Sequence, residues 1–153
     1  MSNDQLAAIS AKILRFEQAT ILNVIEIGRL LRQARELCEH GEYQEWIERV
    51  FVWSYRTALR YSYAAALEEK CQRGTFERLG SFSLGSLNLS LTALHIVADP
   101  SMTQEECEAI LERARTFRVT ASVANEIICA FLFPDDVGDA TAAPIDEESG
   151  DHQ

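Results

Sequence analysis

The feature that most constrains the fold is an uninterrupted helical pattern over the first 38 residues. Apolar side chains recur there at steps of three and four residues, and no proline breaks the run. Asp4 is suited to cap the start of this helix. A straight helix of this length would extend roughly 50 Å, more than the diameter of a small domain. We therefore expect it to bend or to be covered in part by another chain, with Gly28 at a bend or a close helix crossing. The apolar positions are Leu6, Ile9, Ile13, Phe16, Ile21, Val24, Ile27, Leu31, Ala34 and Cys38.

Five shorter helices are predicted after it. The first covers residues 42–50, and Ser54 is placed to cap a second one that ends near residue 70. The strongly apolar stretch 87–98 predicts another helix, which is stopped by the sequence "DPS". A capping box of Thr103 and Glu106 opens the next helix, through about residue 116, and Thr120 caps the last, to about residue 133.

This pattern predicts an all-α protein in four parts. Residues 1–71 form the long helix and a helix-turn-helix-like unit. Residues 72–86 contain three glycines and three serines and are predicted to be a hinge or loop. Residues 87–134 form a C-terminal three-helix unit, and residues 135–153 are predicted to be a disordered acidic tail.

Composition and motifs exclude several classes of function. No run of 18 apolar residues is present, and the N-terminus lacks the pattern of a signal peptide, so we expect a cytoplasmic protein without a membrane span. The sequence contains no catalytic motif and no glycine-rich phosphate loop, which argues against an enzyme. Four cysteines lack C-x-x-C spacing and three histidines are scattered, so we expect reduced thiols in a helical core, no metal and no cofactor.

The net charge of −10 is distributed unevenly along the chain. Seven acidic residues and no lysine or arginine follow Pro134, so residues 1–134 carry 14 basic against 17 acidic side chains. Between Arg49 and Arg78 the sign reverses, with six basic residues against three acidic ones. A positive middle and a negative tail are compatible with DNA binding but do not require it.

The middle of the chain has the order of elements found in a helix-turn-helix motif: a short helix, a tight connection, and a second helix with arginines near its start. Arg56 and Arg60 lie one turn apart, and each planar guanidinium can donate two hydrogen bonds to one guanine. Thr57 and Tyr63 are placed to contact phosphate or base, and Arg49 to contact the DNA backbone. These five residues are the predicted DNA-binding site.

The spacing alone slightly favours a helix that packs through Tyr61 and Tyr63 on a neighbouring helix and leaves Arg56 and Arg60 in solvent. Phe51, Val52 and Trp53 stand in the connection, where a glycine or polar residue is expected. Three large apolar residues in a turn either fill the domain's own core or form an interface with a partner.

Three stretches in order resemble a bacterial and phage family known as domain of unknown function 3102. They are "IGRLLRQAR" (27–35), "HGEYQEWI" (40–47) and "SYRTALRY" (54–61). The resemblance implies an origin among phages, plasmids or bacterial hosts and favours DNA binding, but it names no reaction. The matching positions are Gly28, Leu31, Ala34, His40, Gly41, Glu42, Tyr43, Trp46, Ser54, Arg56, Thr57, Ala58, Arg60 and Tyr61.

Two functions follow as hypotheses. The first is a non-enzymatic, regulatory protein that binds double-stranded DNA, as a homodimer because helix-turn-helix proteins usually pair on two half-sites. The second is a protein–protein interaction module, an inhibitor or adaptor that uses residues 51–53 and an acidic surface.

Overall fold

The structure is a computed structural model and describes residues 3–134. Within this range the chain forms six α-helices, which confirms the predicted all-α fold with a long N-terminal helix. The predicted disorder of residues 135–153 concerns residues outside the described range. The elements are α1 (Asn3–Leu37), α2 (Glu42–Val50), α3 (Tyr55–Gln72), a 3-10 turn (Leu84–Ser86), α4 (Leu91–Val97), α5 (Gln104–Arg113) and α6 (Ala121–Leu132).

Hydroxyl side chains cap four of these helices, and three of the four caps are those that the sequence predicts. Ser54 Oγ accepts a hydrogen bond from a backbone N–H in the first turn of α3. Thr103 and Glu106 form a complete capping box, with N···O distances of 2.9 and 3.1 Å. Thr120 Oγ1 accepts from the first turn of α6. Each cap satisfies a backbone donor that has no partner within its helix, which fixes where the helix begins.

Two predicted helix starts are wrong. Asp4 lies inside the first turn of α1, which already includes Asn3. The helix predicted over 87–98 begins only at Leu91, because Ser90 caps it and the preceding residues are extended. The backbone of this extended segment pairs with a residue far along the chain: Val119 N–H donates to the Asn88 carbonyl at 2.8 Å, and Ser90 N–H donates to the Val119 carbonyl at 3.0 Å.

Helices α1 and α3 cross in close contact at Gly28. A β-carbon at this buried position would collide with the carbonyl oxygen of Tyr61 and lie only 3.0 Å from the β-carbon of Ala65. Glycine and alanine at this crossing allow the two backbones to approach more closely than larger side chains would permit. Of the two roles predicted for Gly28, a bend or a close crossing, the structure shows the close crossing.

Two apolar cores lie on either side of this crossing. The larger one collects buried side chains from α1, α3, α4, α5, α6 and the connection between α3 and α4. The smaller one is built where α2 packs against α1 and α3, around Leu31, Tyr43, Ile47 and Ala58. Helix α3 contributes to both cores, so its orientation is determined from both sides.

A buried carboxylate joins α3 to the connection that follows it. Glu68 is 3% exposed, and its two oxygens accept hydrogen bonds from the backbone N–H of Leu84 and the hydroxyl of Ser83, both at 2.8 Å, and from Gln72 at 2.9 Å. A buried charge is tolerated only when hydrogen bonds replace its hydration. These bonds hold the 3-10 turn against α3 and so guide the chain toward α4.

The N-terminal half of α1 leaves an apolar stripe uncovered. Leu6, Ile9, Ile13 and Phe16 are between 43% and 74% exposed. This half of α1 is attached to the rest of the molecule by the ion pair of Glu17 with Arg118, at 2.7 Å. The long helix is continuous over Asn3–Leu37, and coverage of its exposed stripe by another chain stays a prediction.

The crossing predicts the effect of Gly28→Ala. The added methyl group should push α1 away from α3 and cost about 1–3 kcal/mol, more than the gain of about 1 kcal/mol in helix propensity. Urea denaturation should therefore show a lower free energy of unfolding. Gln33→Ala, on an exposed position of the same helix, serves as the control and should change it by less than about 0.5 kcal/mol. A Gly28→Ala protein more stable than the unmodified chain would show that the helices are not in close contact.

Candidate functional site

The candidate site begins at the connection between α2 and α3, residues 51–54. Ser54 Oγ lies 3.2 Å from the Thr57 backbone nitrogen and 3.3 Å from the Thr57 hydroxyl oxygen. Thr57, one of the predicted DNA contacts, is therefore engaged in starting α3. Arg49 lies exposed in the last turn of α2.

The three apolar residues of the connection divide between two environments. Phe51 and Trp53 are partly buried and stack with their rings nearly parallel, at a centroid distance of 4.4 Å. Trp46 meets Phe51 edge-on and Tyr61 meets Trp53 edge-on, each at 5.3 Å. Val52 is fully exposed. The stacked pair thus belongs to the protein's smaller core, and only Val52 presents its whole side chain to solvent.

Three of the predicted DNA contacts lie together on one side of α3. Arg56, Arg60 and Tyr63 line a half-open cleft of about 780 Å³, whose other wall is α4 and the residues after it. We call this the α3–α4 cleft. Thr57 and Arg49 are not among its lining residues. Its apolar lining consists of Leu59, Leu91, Ile96 and Pro100.

The opposite side of α3 explains why the arginines point outward. Ala58 and Ala65 are buried there, Ala58 in the smaller core and Ala65 against Gly28 of α1. Arg56 and Arg60 are exposed, and among residues 3–134 neither forms an ion pair. The packing of the small residues leaves two free guanidinium groups, one turn apart, at the mouth of the cleft.

Asp99 brings a negative charge into the same cleft. Hydrogen bonds from the side chain and backbone of Ser101, at 2.7 and 2.9 Å, lower the pKa of its carboxyl, and the positive charges of Arg56 and Arg60 lower it further. Asp99 is therefore ionised at neutral pH. It partly offsets the two arginines but forms no ion pair shorter than 4.0 Å with them in the described part of the chain.

His95 also lines the cleft. Burial lowers the pKa of its imidazole, and the nearby charge of Arg60 lowers it again, so the ring is neutral at pH 7. Its Nδ1 is buried and has no hydrogen-bond partner in the described structure. Its ring lies 6.4 Å from that of Tyr61. His95 thus lies at the boundary between the core and the cleft.

Sequence reasoning missed that α4 supplies the second wall of the site. A signal was present: Leu91, Thr92, His95, Ile96 and Asp99 follow one another at helical spacing, which puts them on one side of a helix. The pattern shows a mixed polar and apolar face, but it does not show which helix that face opposes. That information comes only from the packing of α4 beside α3.

The cysteines are free thiols in the described structure. Burial is the main cause that raises the pKa of Cys71 to about 12 and that of Cys107 to about 11. Cys129 is exposed. Cys71 and Cys107 are therefore protonated apolar side chains of the larger core.

Residues 3–134 contain no helix suited to span a membrane and no cluster of side chains suited to bind a metal ion. No helix there is long and apolar enough to cross a bilayer. No group of three histidine, cysteine, aspartate or glutamate side chains there could hold a metal ion.

Comparison with known proteins identifies the family. A family model described as "Protein of unknown function (DUF3102)" matches residues 4–83, which is more than half of the chain. The chain belongs to this family. The resemblance predicted from residues 27–61 is thereby confirmed, and the match extends over nearly all of α1, the whole of α2 and α3, and part of the connection to α4. No curated protein and no solved structure matches the chain.

The DUF3102 match divides the candidate site. Arg56, Arg60 and Tyr63 lie inside the matched residues, whereas His95 and Asp99 lie outside them. One wall of the α3–α4 cleft therefore belongs to the family segment, and the other is supplied by the C-terminal helices of this chain.

Proposed function

We propose that this DUF3102 protein is a non-enzymatic DNA-binding regulator of a phage, plasmid or bacterial host, and that it acts in the cytoplasm. The observation that carries the proposal is the pair Arg56 and Arg60, which are exposed, one turn apart and without an ion pair in the described structure. Two unneutralised guanidinium groups near the start of a helix suit contacts with guanine edges or phosphates in the major groove.

The surroundings of this pair support the same proposal. The connection between α2 and α3 has four residues, and the N-terminus of α3 favours an anion such as phosphate because of its free backbone N–H groups. Tyr63 lines the same cleft as the arginines, while Arg49 and Thr57 would contact the DNA backbone from the end of α2 and the start of α3. Asp99 weakens DNA binding because its negative charge repels phosphate. The affinity for DNA therefore requires that the attraction of Arg56 and Arg60 exceed this repulsion.

The test of DNA binding is fluorescence anisotropy with a labelled random-sequence duplex over a series of salt concentrations. We expect binding that weakens steeply with salt, because each neutralised phosphate releases counterions. The Arg56→Ala, Arg60→Ala double variant should bind the duplex more weakly, and the slope of log affinity against log salt should fall by about 2, one for each lost phosphate contact. The control is the Lys12→Ala, Arg29→Ala double variant, which removes two charges from exposed or partly exposed positions of α1. Equal affinities for both double variants would contradict the proposed role of the arginines.

The exposed stripe of α1 supports a homodimer as the DNA-binding form. Leu6, Ile9, Ile13 and Phe16 follow one another at steps of three, four and three residues, the spacing of a seam between two helices. Sedimentation equilibrium of the full chain at micromolar concentration should therefore show a dimer. Ile13→Glu should give a monomer, and Leu37→Glu, at an exposed position outside the stripe, should not. A monomeric unmodified chain would contradict the proposal.

The second candidate function is binding to another protein, as an inhibitor or adaptor. The observation that favours it is the full exposure of Val52 beside the stacked rings of Phe51 and Trp53. Val52→Asp tests it better than a change at Trp53, because Trp53 is part of the core and its loss would also destabilise the fold.

For this candidate we expect Val52→Asp to lose proteins that the immobilised unmodified chain retains from a bacterial lysate, while its affinity for DNA is unchanged. Leu37→Asp is the matched control, since Leu37 is also an exposed apolar residue. Retention of the same proteins by both variants would exclude Val52 as a contact.

A further inference from the structure

We propose that the α3–α4 cleft binds a mononucleotide, with its phosphate between Arg56 and Arg60 and its base in the apolar part of the cleft. This site shares Arg56 and Arg60 with the proposed DNA contact but also uses α4 and the residues after it, so its test does not require a duplex. It would exist whether or not the protein binds a duplex.

The size and composition of the cleft suit a small organic ligand. Small-molecule sites typically have volumes of about 300–1,000 Å³ and apolar linings with a few polar groups. The α3–α4 cleft has about 780 Å³ and an apolar lining that includes Leu59, Leu91 and Ile96. A flat surface helix that only contacts DNA phosphates would not require an apolar hollow of this size.

The positive charges of Arg56 and Arg60 favour a ligand that carries an anionic group. Arg56 and Arg60 lie one turn apart on α3, where two like charges repel each other. Neither arginine has an ion pair within residues 3–134, and Asp99, which lines the same cleft, remains more than 4.0 Å from their nitrogens. A phosphate between the two guanidinium groups would accept charge-assisted hydrogen bonds from both and relieve their repulsion.

Asp99 supplies an acceptor for the neutral part of the ligand. Both hydrogen bonds from Ser101 go to Oδ1 of Asp99, which leaves Oδ2 able to accept another. Because Asp99 stays ionised at neutral pH, it favours a ligand that carries hydroxyl or amino donors at a distance from its anionic group. A ribose or a nucleobase provides such donors, whereas inorganic phosphate does not.

The aromatic rings of Tyr63 and His95 favour a ligand with a planar base. Tyr63 and His95 both line the cleft. Aromatic rings can stack on any of the nucleobases, because every base has a π-face. The buried Nδ1 of His95 has no hydrogen-bond partner in the described structure, so the imidazole of His95 retains hydrogen-bonding capacity beside the cleft.

The experiment is isothermal titration calorimetry of the full chain with AMP, GMP, CMP and UMP, compared with adenosine and inorganic phosphate. We expect at least one of the four nucleotides to bind at least about tenfold more tightly than adenosine or inorganic phosphate. Adenosine lacks the phosphate group, and inorganic phosphate lacks the base and the ribose. Arg56→Ala and Arg60→Ala should each weaken that binding by about tenfold or more. Arg60→Lys should weaken nucleotide binding less, because lysine keeps the positive charge but lacks the planar guanidinium group that donates two parallel hydrogen bonds.

The controls make the result specific to the cleft. Arg29→Ala, on α1 and outside the cleft, should bind the nucleotide as tightly as the unmodified chain, and circular dichroism should show that every variant is folded. His95→Phe keeps an aromatic ring but removes both imidazole nitrogens, and it should weaken binding several-fold. Absence of binding by all four nucleotides would overturn the proposal. Equal binding by the Arg56→Ala and Arg60→Ala variants, or by adenosine alone, would also overturn it.

Discussion

The close crossing of α1 and α3 at Gly28 is the contact on which the rest of the structure depends. It brings the backbone of α1 against the carbonyl of Tyr61, and it buries the alanine-rich side of α3. A helix that packs through small residues on one side presents its long side chains on the other. The outward position of Arg56 and Arg60 is thus a consequence of the packing of Gly28, Ala58 and Ala65.

Two polar features then bring α4 to the open side of α3. Glu68 holds the turn at Ser83 and Leu84 through buried hydrogen bonds. Farther along the chain, the backbone of Asn88 and Ser90 pairs with that of Val119, which fixes the start of α4 against the C-terminal helices. The α3–α4 cleft results from these contacts. It combines a wall that belongs to DUF3102 with one that lies outside the family match.

Features that depend on neighbours in sequence were predictable. The caps at Ser54, Thr103 and Thr120 follow from hydroxyl residues just before apolar periodic segments, and the grouping of Arg56, Arg60 and Tyr63 follows from helical spacing. The family was predictable from three short motifs, and several of their residues have packing roles: Leu31, Tyr43 and Ala58 are buried in the smaller core.

Features that depend on contacts between distant residues were not predictable. The apolar run from Leu87 looks helical throughout, but its first residues pair with residue 119, which no local pattern shows. Glu68 and Glu69 look alike in the sequence, yet only Glu68 is buried, because only it meets the turn at Leu84. His95 and Asp99 could be assigned to a helix and its end, but their position opposite Arg60 requires the packing of the whole molecule.

The central claim is that DNA is contacted by the outward side of α3, and an NMR titration tests it most directly. Uniformly ¹⁵N-labelled protein would be titrated with a random-sequence duplex at low salt, and the amide shift changes would be assigned to residues. The account predicts changes concentrated in the first three turns of α3 and at the end of α2, which disappear at high salt. Changes confined to α1 or the C-terminal helices, or no changes at all, would contradict it.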